Sequence, residues 1–205
     1  MIIMVNKNQI LKEAAKLFIR YGIKTITMDD IATQLHVSKR TLYELFNKKH
    51  DLVDEIVSSH IKAESELLMK LISESENAID IMLKSSKYIL HMYSKLRPSV
   101  LFDLKRYYPD IWKKVEHFNN DYIRQMIEKN LIRGIEENVY RKDIEPNILS
   151  TFYILQLHIF SDESNENLNE FEFGELTKQF FNYHLHGIMS QKGLEYFKNK
   201  ENNYL

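Results

Sequence analysis

Apolar residues at Ile10, Leu11, Ala14, Ala15, Leu17, Phe18 and Tyr21 recur at the spacing of one helical face, and Gly22 follows as a stop. The stretch ITMDDIATQL then opens with Thr27 three residues before Asp30, an N-cap followed by an acidic residue. Met28, Ile31, Ala32 and Leu35 form the inner face of this second helix. His36 and Val37 make a turn, and Ser38 caps a short third helix whose inner face holds Leu42 and Phe46. NKKHDLVDEIVSSHIKAESELLMKLISES reads as one long helix. Further amphipathic or buried helices are predicted over 77–96, 98–107, 109–138, 146–162 and 173–190. Pro98, Pro109 and Pro146 fall at first-turn positions, where a missing N–H costs nothing. SDESNENLNE, residues 161–170, reads as an acidic loop, and the tail after Gly193 as frayed. No alternating β pattern, repeat or low-complexity tract interrupts this, so the expected fold class is all-α.

Composition sharpens the picture. Gly and Pro together occupy eight of 205 positions, which suits helices joined by short loops. The absence of cysteine removes disulfides, thiolate nucleophiles and Cys-based zinc sites, and fits a reducing compartment. The start, MIIMVNKNQ, is too short and wrongly ordered for a signal peptide. The longest nearly apolar run, FYILQLHIF, is about half of what a bilayer crossing needs. A cytoplasmic protein is expected. The net charge of −1 hides an asymmetry: residues 1–50 carry nine Lys and Arg against four Asp and Glu, and the rest carry 19 against 25. A basic module facing an anionic partner, on an acidic body, would look like this; so would chance clustering.

Two helices joined by a short turn, the second with exposed polar groups, form a helix-turn-helix. One side of the second helix must grip its own domain while the other enters a major groove. Leu42 and Phe46 supply the grip; Lys39, Arg40, Thr41, Tyr43 and Glu44 are left for the groove. Arg or Lys can read guanine, Thr can meet a thymine methyl or a phosphate, and a Tyr hydroxyl can reach a phosphate. Glu44 fits a salt-bridge role better than a cytosine contact. Lys48 and Lys49 open the next helix against its dipole, which points to backbone phosphates as their partners.

ITMDDIATQLHVSKRTLYELFNKKHDLV resembles the N-terminal region of TetR-family transcriptional regulators. The Thr27-x-x-x-Ile31-Ala32, Val37-Ser38-x-x-Thr41-Leu42-Tyr43 and Phe46-x-x-Lys49-x-x-Leu52-Val53 stretches match in order and spacing, within a resemblance covering residues 8–53. It implies a dimer, an operator with two-fold symmetry and a C-terminal helical domain that often binds a small inducer. By position, Thr27, Lys39, Arg40, Thr41, Tyr43 and Lys49 fall where that family contacts DNA; Ser38 and Lys48 complete the candidate set. One departure is informative: His36 stands where the family usually has glycine, at a site that tends to need φ > 0, which costs a non-glycine residue on the order of 1 kcal/mol. The expected organisation is a three-helix DNA-binding domain over 1–50 and a larger ligand-binding and dimerisation domain over 51–205.

In the body, ILSTFYILQLHIF is apolar nearly all round and LTKQFFNYHLHGIM carries a further aromatic set. The expected dimer interface takes Phe152, Leu155, Ile159, Phe180, Phe181, Tyr183, His184, Gly187 and Ile188. Residues 85–125 hold eight of the 24 aromatics. A pocket for an apolar or planar ligand is expected among Met82, Tyr88, His91, Met92, Phe102, Tyr107, Trp112, Phe118, Tyr122 and Met126, although each also suits an ordinary core. No metalloprotease, phosphate-loop or nucleophile-elbow motif is present. His184 and His186 lie two apart and diverge on a helix. No enzyme, cofactor or metal is expected. The rival reading is a helical ligand-sensing or adaptor protein without DNA binding.

Overall fold

The structure, a computed structural model, describes residues 6–93, 98–160 and 172–200. The expected acidic loop over 161–170 lies outside the described residues. The helices are α1 (Lys7–Tyr21), α2 (Met28–Gln34), α3 (Lys39–Leu45), α4 (Lys49–Ser73), α5 (Ala78–Tyr93), α6 (Pro98–Tyr107), α7 (Pro109–His117), α8 (Arg124–Glu136), α9 (Pro146–Phe160), α10 (Phe173–Ile188) and α11 (Gln191–Lys198). A π-helical turn, Phe118–Ile123, separates α7 from α8 where one uninterrupted helix was expected. Asn138, at φ 58°, lies two residues beyond the end of α8. Among the described residues the only β feature is an isolated bridge between Tyr140 and Met189. No described helix is long and apolar enough to cross a membrane.

The chain divides into two compact units: Met1–Ala63 with Leu96–Glu116, and Glu64–Lys95 with His117–Leu205. In the first, Ile10, Ala14 and Phe18 of α1 pack with Ile31 of α2, Leu42 of α3, and Leu52 and Val53 of α4. Leu104 of α6 and Ile111 of α7 join the same core. The join is also polar. Asp103 accepts from the Lys24 backbone N–H at 2.7 Å, and the Lys24 ammonium donates to the Tyr107 hydroxyl at 2.8 Å. His50 meets Asp110 at 2.9 Å.

The second unit is centred on Ile79 and Leu83 of α5, Leu131 of α8, Leu185 of α10 and Tyr140. The Tyr140 hydroxyl donates to Asn130, whose amide donates to the Ala78 carbonyl, so a buried polar pair is satisfied inside an apolar core. The expected fraying after Gly193 is corrected. Residues 191–198 form a helix capped by the Ser190 hydroxyl at the Gly193 N–H, with Phe197 buried. Gly193 is there for closeness: a Cβ would stand 2.1 Å from the Val139 carbonyl oxygen. The Tyr196 hydroxyl and the Lys200 ammonium both reach Glu76, fastening this end of the chain.

Gly134 makes a second close approach, since a Cβ would lie 1.9 Å from the Tyr140 ring. Gly134→Ala must displace that ring and is expected to cost about 1–3 kcal/mol, measured by urea unfolding. A loss below about 0.5 kcal/mol would show that the Tyr140 seat is soft.

Candidate nucleic-acid interface and ligand cavity

The first unit's reading surface is assembled by local chemistry. Gly22 ends α1 at φ 87°, its N–H donating to the Phe18 carbonyl at 2.8 Å. Thr27 starts α2 with a reciprocal box: its hydroxyl accepts from the Asp30 N–H, and the Asp30 carboxylate accepts from the Thr27 N–H and hydroxyl. The Thr27 hydrogen bonds hold the Asp30 carboxyl below the usual range. In the turn the Val37 N–H donates to the Ala32 carbonyl, and His36 takes φ 53°, a left-handed value that His tolerates better than most residues. Ser38 caps α3 through the Thr41 N–H, and the two hydroxyls lie 2.7 Å apart.

On α3, Leu42 is fully buried and Phe46, its C-cap, nearly so, while Lys39, Arg40, Thr41, Tyr43 and Glu44 are exposed. Lys39 pairs with Asp29 at 2.6 Å, which raises its pKa, and Arg40 pairs with Glu44 at 2.8 Å. Both pairs sit in water, where such contacts are worth about 0.2–1 kcal/mol. A guanidinium or ammonium there can exchange its carboxylate for phosphate or a base edge, since one good bidentate base contact is worth about 1–3 kcal/mol. Lys48 is exposed as well.

Lys49 requires a correction. Its ammonium donates to the Ile23 carbonyl and reaches that of Lys24 at 3.5 Å, over the Phe18 ring. Burial lowers its pKa, against the pull of Asp103 and Asp30. The carbonyls of the α1–α2 loop occupy it, so it is a bracket inside the unit instead of a phosphate ligand. The Thr27 hydroxyl is likewise committed to its cap.

The second unit contains a cavity of about 120 Å³. Met82, Tyr88 and Met126 line it, as expected. The rest of the expected aromatic pocket does not gather there. Phe102, Tyr107 and Trp112 belong to the first unit, where Trp112 is core and Tyr107 accepts from Lys24. Phe118 and Tyr122 stack on one another at 5.2 Å, and neither is among the lining residues. His91 and Met92 lie off the cavity wall, near the end of α5.

Glu64, Tyr153, Phe180 and Phe181 do line the cavity. Burial pushes the Glu64 carboxyl up to about 7. The Tyr153 hydroxyl is buried without a hydrogen-bond partner among the described residues. A signal for Glu64 was available in the sequence: Glu64, Leu68 and Ile72 fall at four-residue steps on one helical face, and all three line the cavity.

On α9 and α10, Phe152, Leu155 and Tyr183 are exposed, Tyr183 at 81%. A Cβ added at Gly187 would meet nothing within 4 Å. Phe181 and Ile188, expected in the same interface, are core residues instead, and Phe180 faces the cavity. The half-buried His184 packs against Tyr153 at 4.2 Å between rings. The side chain of Ile159 lies outside the described residues.

Residues 10–56 match the family model described as "Bacterial regulatory proteins, tetR family". That N-terminal region is similar to the DNA-binding part of TetR-family regulators. It is 25% identical over 187 residues to the uncharacterized HTH-type transcriptional regulator YvaF of Bacillus subtilis (strain 168), spanning 90% of this chain and 96% of that relative. YhgD, another uncharacterized HTH-type transcriptional regulator of that organism, is 41% identical over 56 residues, which are 27% of this chain and 29% of YhgD. Such TetR-type relatives are regulators, a non-enzymatic class. Among solved structures, reduced NemR of E. coli superposes with a TM-score of 0.70 at 15% identity, covering 88% of this chain and 95% of that one. The ketosteroid regulator KstR2 of Mycobacterium tuberculosis gives 0.61 at 20% identity, covering 90% and 95%. These likenesses show the TetR-type fold: an N-terminal helix-turn-helix and a helical C-terminal part.

His36 tests the turn. His36→Gly removes a left-handed non-glycine residue and is expected to add on the order of 1 kcal/mol of stability, read by thermal unfolding, with DNA affinity unchanged. A clear loss of affinity would show that the imidazole touches the duplex.

Proposed function

We propose that this protein is a dimeric DNA-binding repressor that occupies a two-fold symmetric operator and is released by a small ligand held in the cavity of the second unit. The observation that carries the reading is the two-sided α3: Leu42 buried beneath it, with Lys39, Arg40, Thr41 and Tyr43 presented outward. A duplex groove is the surface that such a basic, hydroxyl-bearing face fits. Ser38 would add its hydroxyl at the rim, and Lys48 a backbone-phosphate contact. Thr27 contributes by holding the start of α2.

Exposed Phe152, Leu155 and Tyr183, with open space at Gly187, support pairing of two chains through α9 and α10. Two-fold pairing would match a palindromic site. In this reading the ligand acts by population shift, favouring a dimer whose two α3 helices are wrongly spaced for successive major grooves. Residues of α4 belong to both compact units, which makes that helix the natural connection. KstR2 is named a ketosteroid transcriptional regulator, and no effector is carried over from it.

A genome-wide map of bound sites would supply the operator. On it, Arg40→Ala and Tyr43→Ala are each expected to weaken binding at least about tenfold, the loss of one good contact, while dimer mass and helical content stay unchanged. Unaltered affinity in both variants would move the reading surface away from α3 and favour the ligand-sensing or adaptor role.

A further inference from the structure

Resting on the reading of the cavity as the effector site, we propose that its ligand is a neutral, ring-sized molecule whose polar atom, a carbonyl-type oxygen, accepts a hydrogen bond from the Tyr153 hydroxyl. Tyr153, on α9, lines the cavity and is 5% exposed, and its buried hydroxyl has no partner among the described residues. A buried polar group left unpaired costs stability, so a ligand atom that pairs with it gains more than the same contact would in water. The neighbouring groups do not serve instead. Asn130 is held by Tyr140 and Ala78. His184 packs on the Tyr153 ring at 4.2 Å, and its own Nε2 is unpartnered as well.

The ring that carries the hydroxyl is wedged. Phe180 meets it edge-on at 5.4 Å, and Phe181 lies tilted at 6.5 Å. A donor on a wedged ring is placed before the ligand arrives, which spares part of the ordering cost of binding. Burial, with Tyr140 nearby, pushes the Tyr153 hydroxyl well above its ordinary pKa. The group therefore keeps its proton and donates, which calls for an acceptor on the ligand.

Volume and lining set the rest of the molecule. An apolar cavity on the order of 150 Å³ takes one benzene ring, and about 120 Å³ is available here. Apart from Glu64 every described lining residue is uncharged, and Glu64 already interacts within the protein. An ion would leave water for walls made mostly of aliphatic and aromatic side chains, a loss that a neutral molecule does not bear.

The test is calorimetric titration of the full chain with acetophenone, its alkene counterpart α-methylstyrene, and two charged counterparts, benzoate and 1-phenylethylammonium. Tyr153→Phe is expected to weaken acetophenone about tenfold, the loss of one buried hydrogen bond, and to leave α-methylstyrene unchanged. Both ions should bind the unaltered protein at least about tenfold more weakly than the ketone. Removing an unpaired buried hydroxyl should leave the empty variant at least as stable as the unaltered protein, read by thermal unfolding. The infrared carbonyl stretch of bound acetophenone decides without any variant: hydrogen bonding to the oxygen should lower it below its frequency in alkane. A stretch at the alkane frequency, equal effects of Tyr153→Phe on ketone and alkene, or a clearly less stable empty variant overturns the proposal. So does an ion that binds as tightly as the ketone, or no binding by any probe. Ketone binding through Tyr153 that leaves operator affinity untouched upholds the ligand class and contradicts the effector reading.

Discussion

A two-turn helix cannot hold itself in place. Seven residues lie well below the length at which an isolated helix is even marginal in water, so α3 owes its position to what it is seated on. That seat is the burial of Leu42 and Phe46 in a core shared with Ile10, Phe18, Ile31 and Leu52. Everything proposed for DNA follows from it, because the same anchoring that hides one side of α3 fixes the direction of the other. The caps at Thr27 and Ser38, the left-handed His36 and the inward Lys49 all serve this geometry. The basic groups facing outward keep only solvent-exposed carboxylate partners, weak enough to be exchanged.

The second unit places its constraint elsewhere. A satisfied polar pair, Tyr140 with Asn130, sits inside its core, and close approaches at Gly134 and Gly193 let Tyr140 and Val139 pack there. Beside this rigid part lie a cavity with an acidic residue in its wall and an unpartnered tyrosine hydroxyl. A buried hydroxyl without a partner costs stability, and a bound molecule that hydrogen-bonds Tyr153 would relieve that cost.

What the sequence revealed was mostly local. The apolar stripe of α1, the stop at Gly22, the caps of α2 and α3 and the left-handed His36 could all be read because each depends on neighbours within a few positions. The helix starting at Gln191 was missed because Phe197 and Gly193 are stabilised by distant Val139 and Ile79. Lys49 misled for the same reason: a lysine opening a helix looked destined for phosphate, but its partners are carbonyls about a turn beyond α1. Aromatic density between 85 and 125 could not say which rings share a unit. The Lys24–Asp103 contact, bridging 79 positions, draws α6 and its Phe102 and Tyr107 toward the helix-turn-helix. Glu64, by contrast, announced itself through its four-residue step to Leu68 and Ile72, and was passed over because a single Glu on a long helix reads as surface.

The salt dependence of binding to a duplex drawn from the protein's own bound sites reaches the central claim most directly. If the outward face of α3 and its neighbours replace counterions on the phosphates, the logarithm of the affinity must fall linearly with the logarithm of salt, at about 0.9 per phosphate contacted. The account predicts a steep slope, and a shallower one when Lys39 and Arg40 are both replaced by alanine. A slope near zero, or one indifferent to that double replacement, would contradict it.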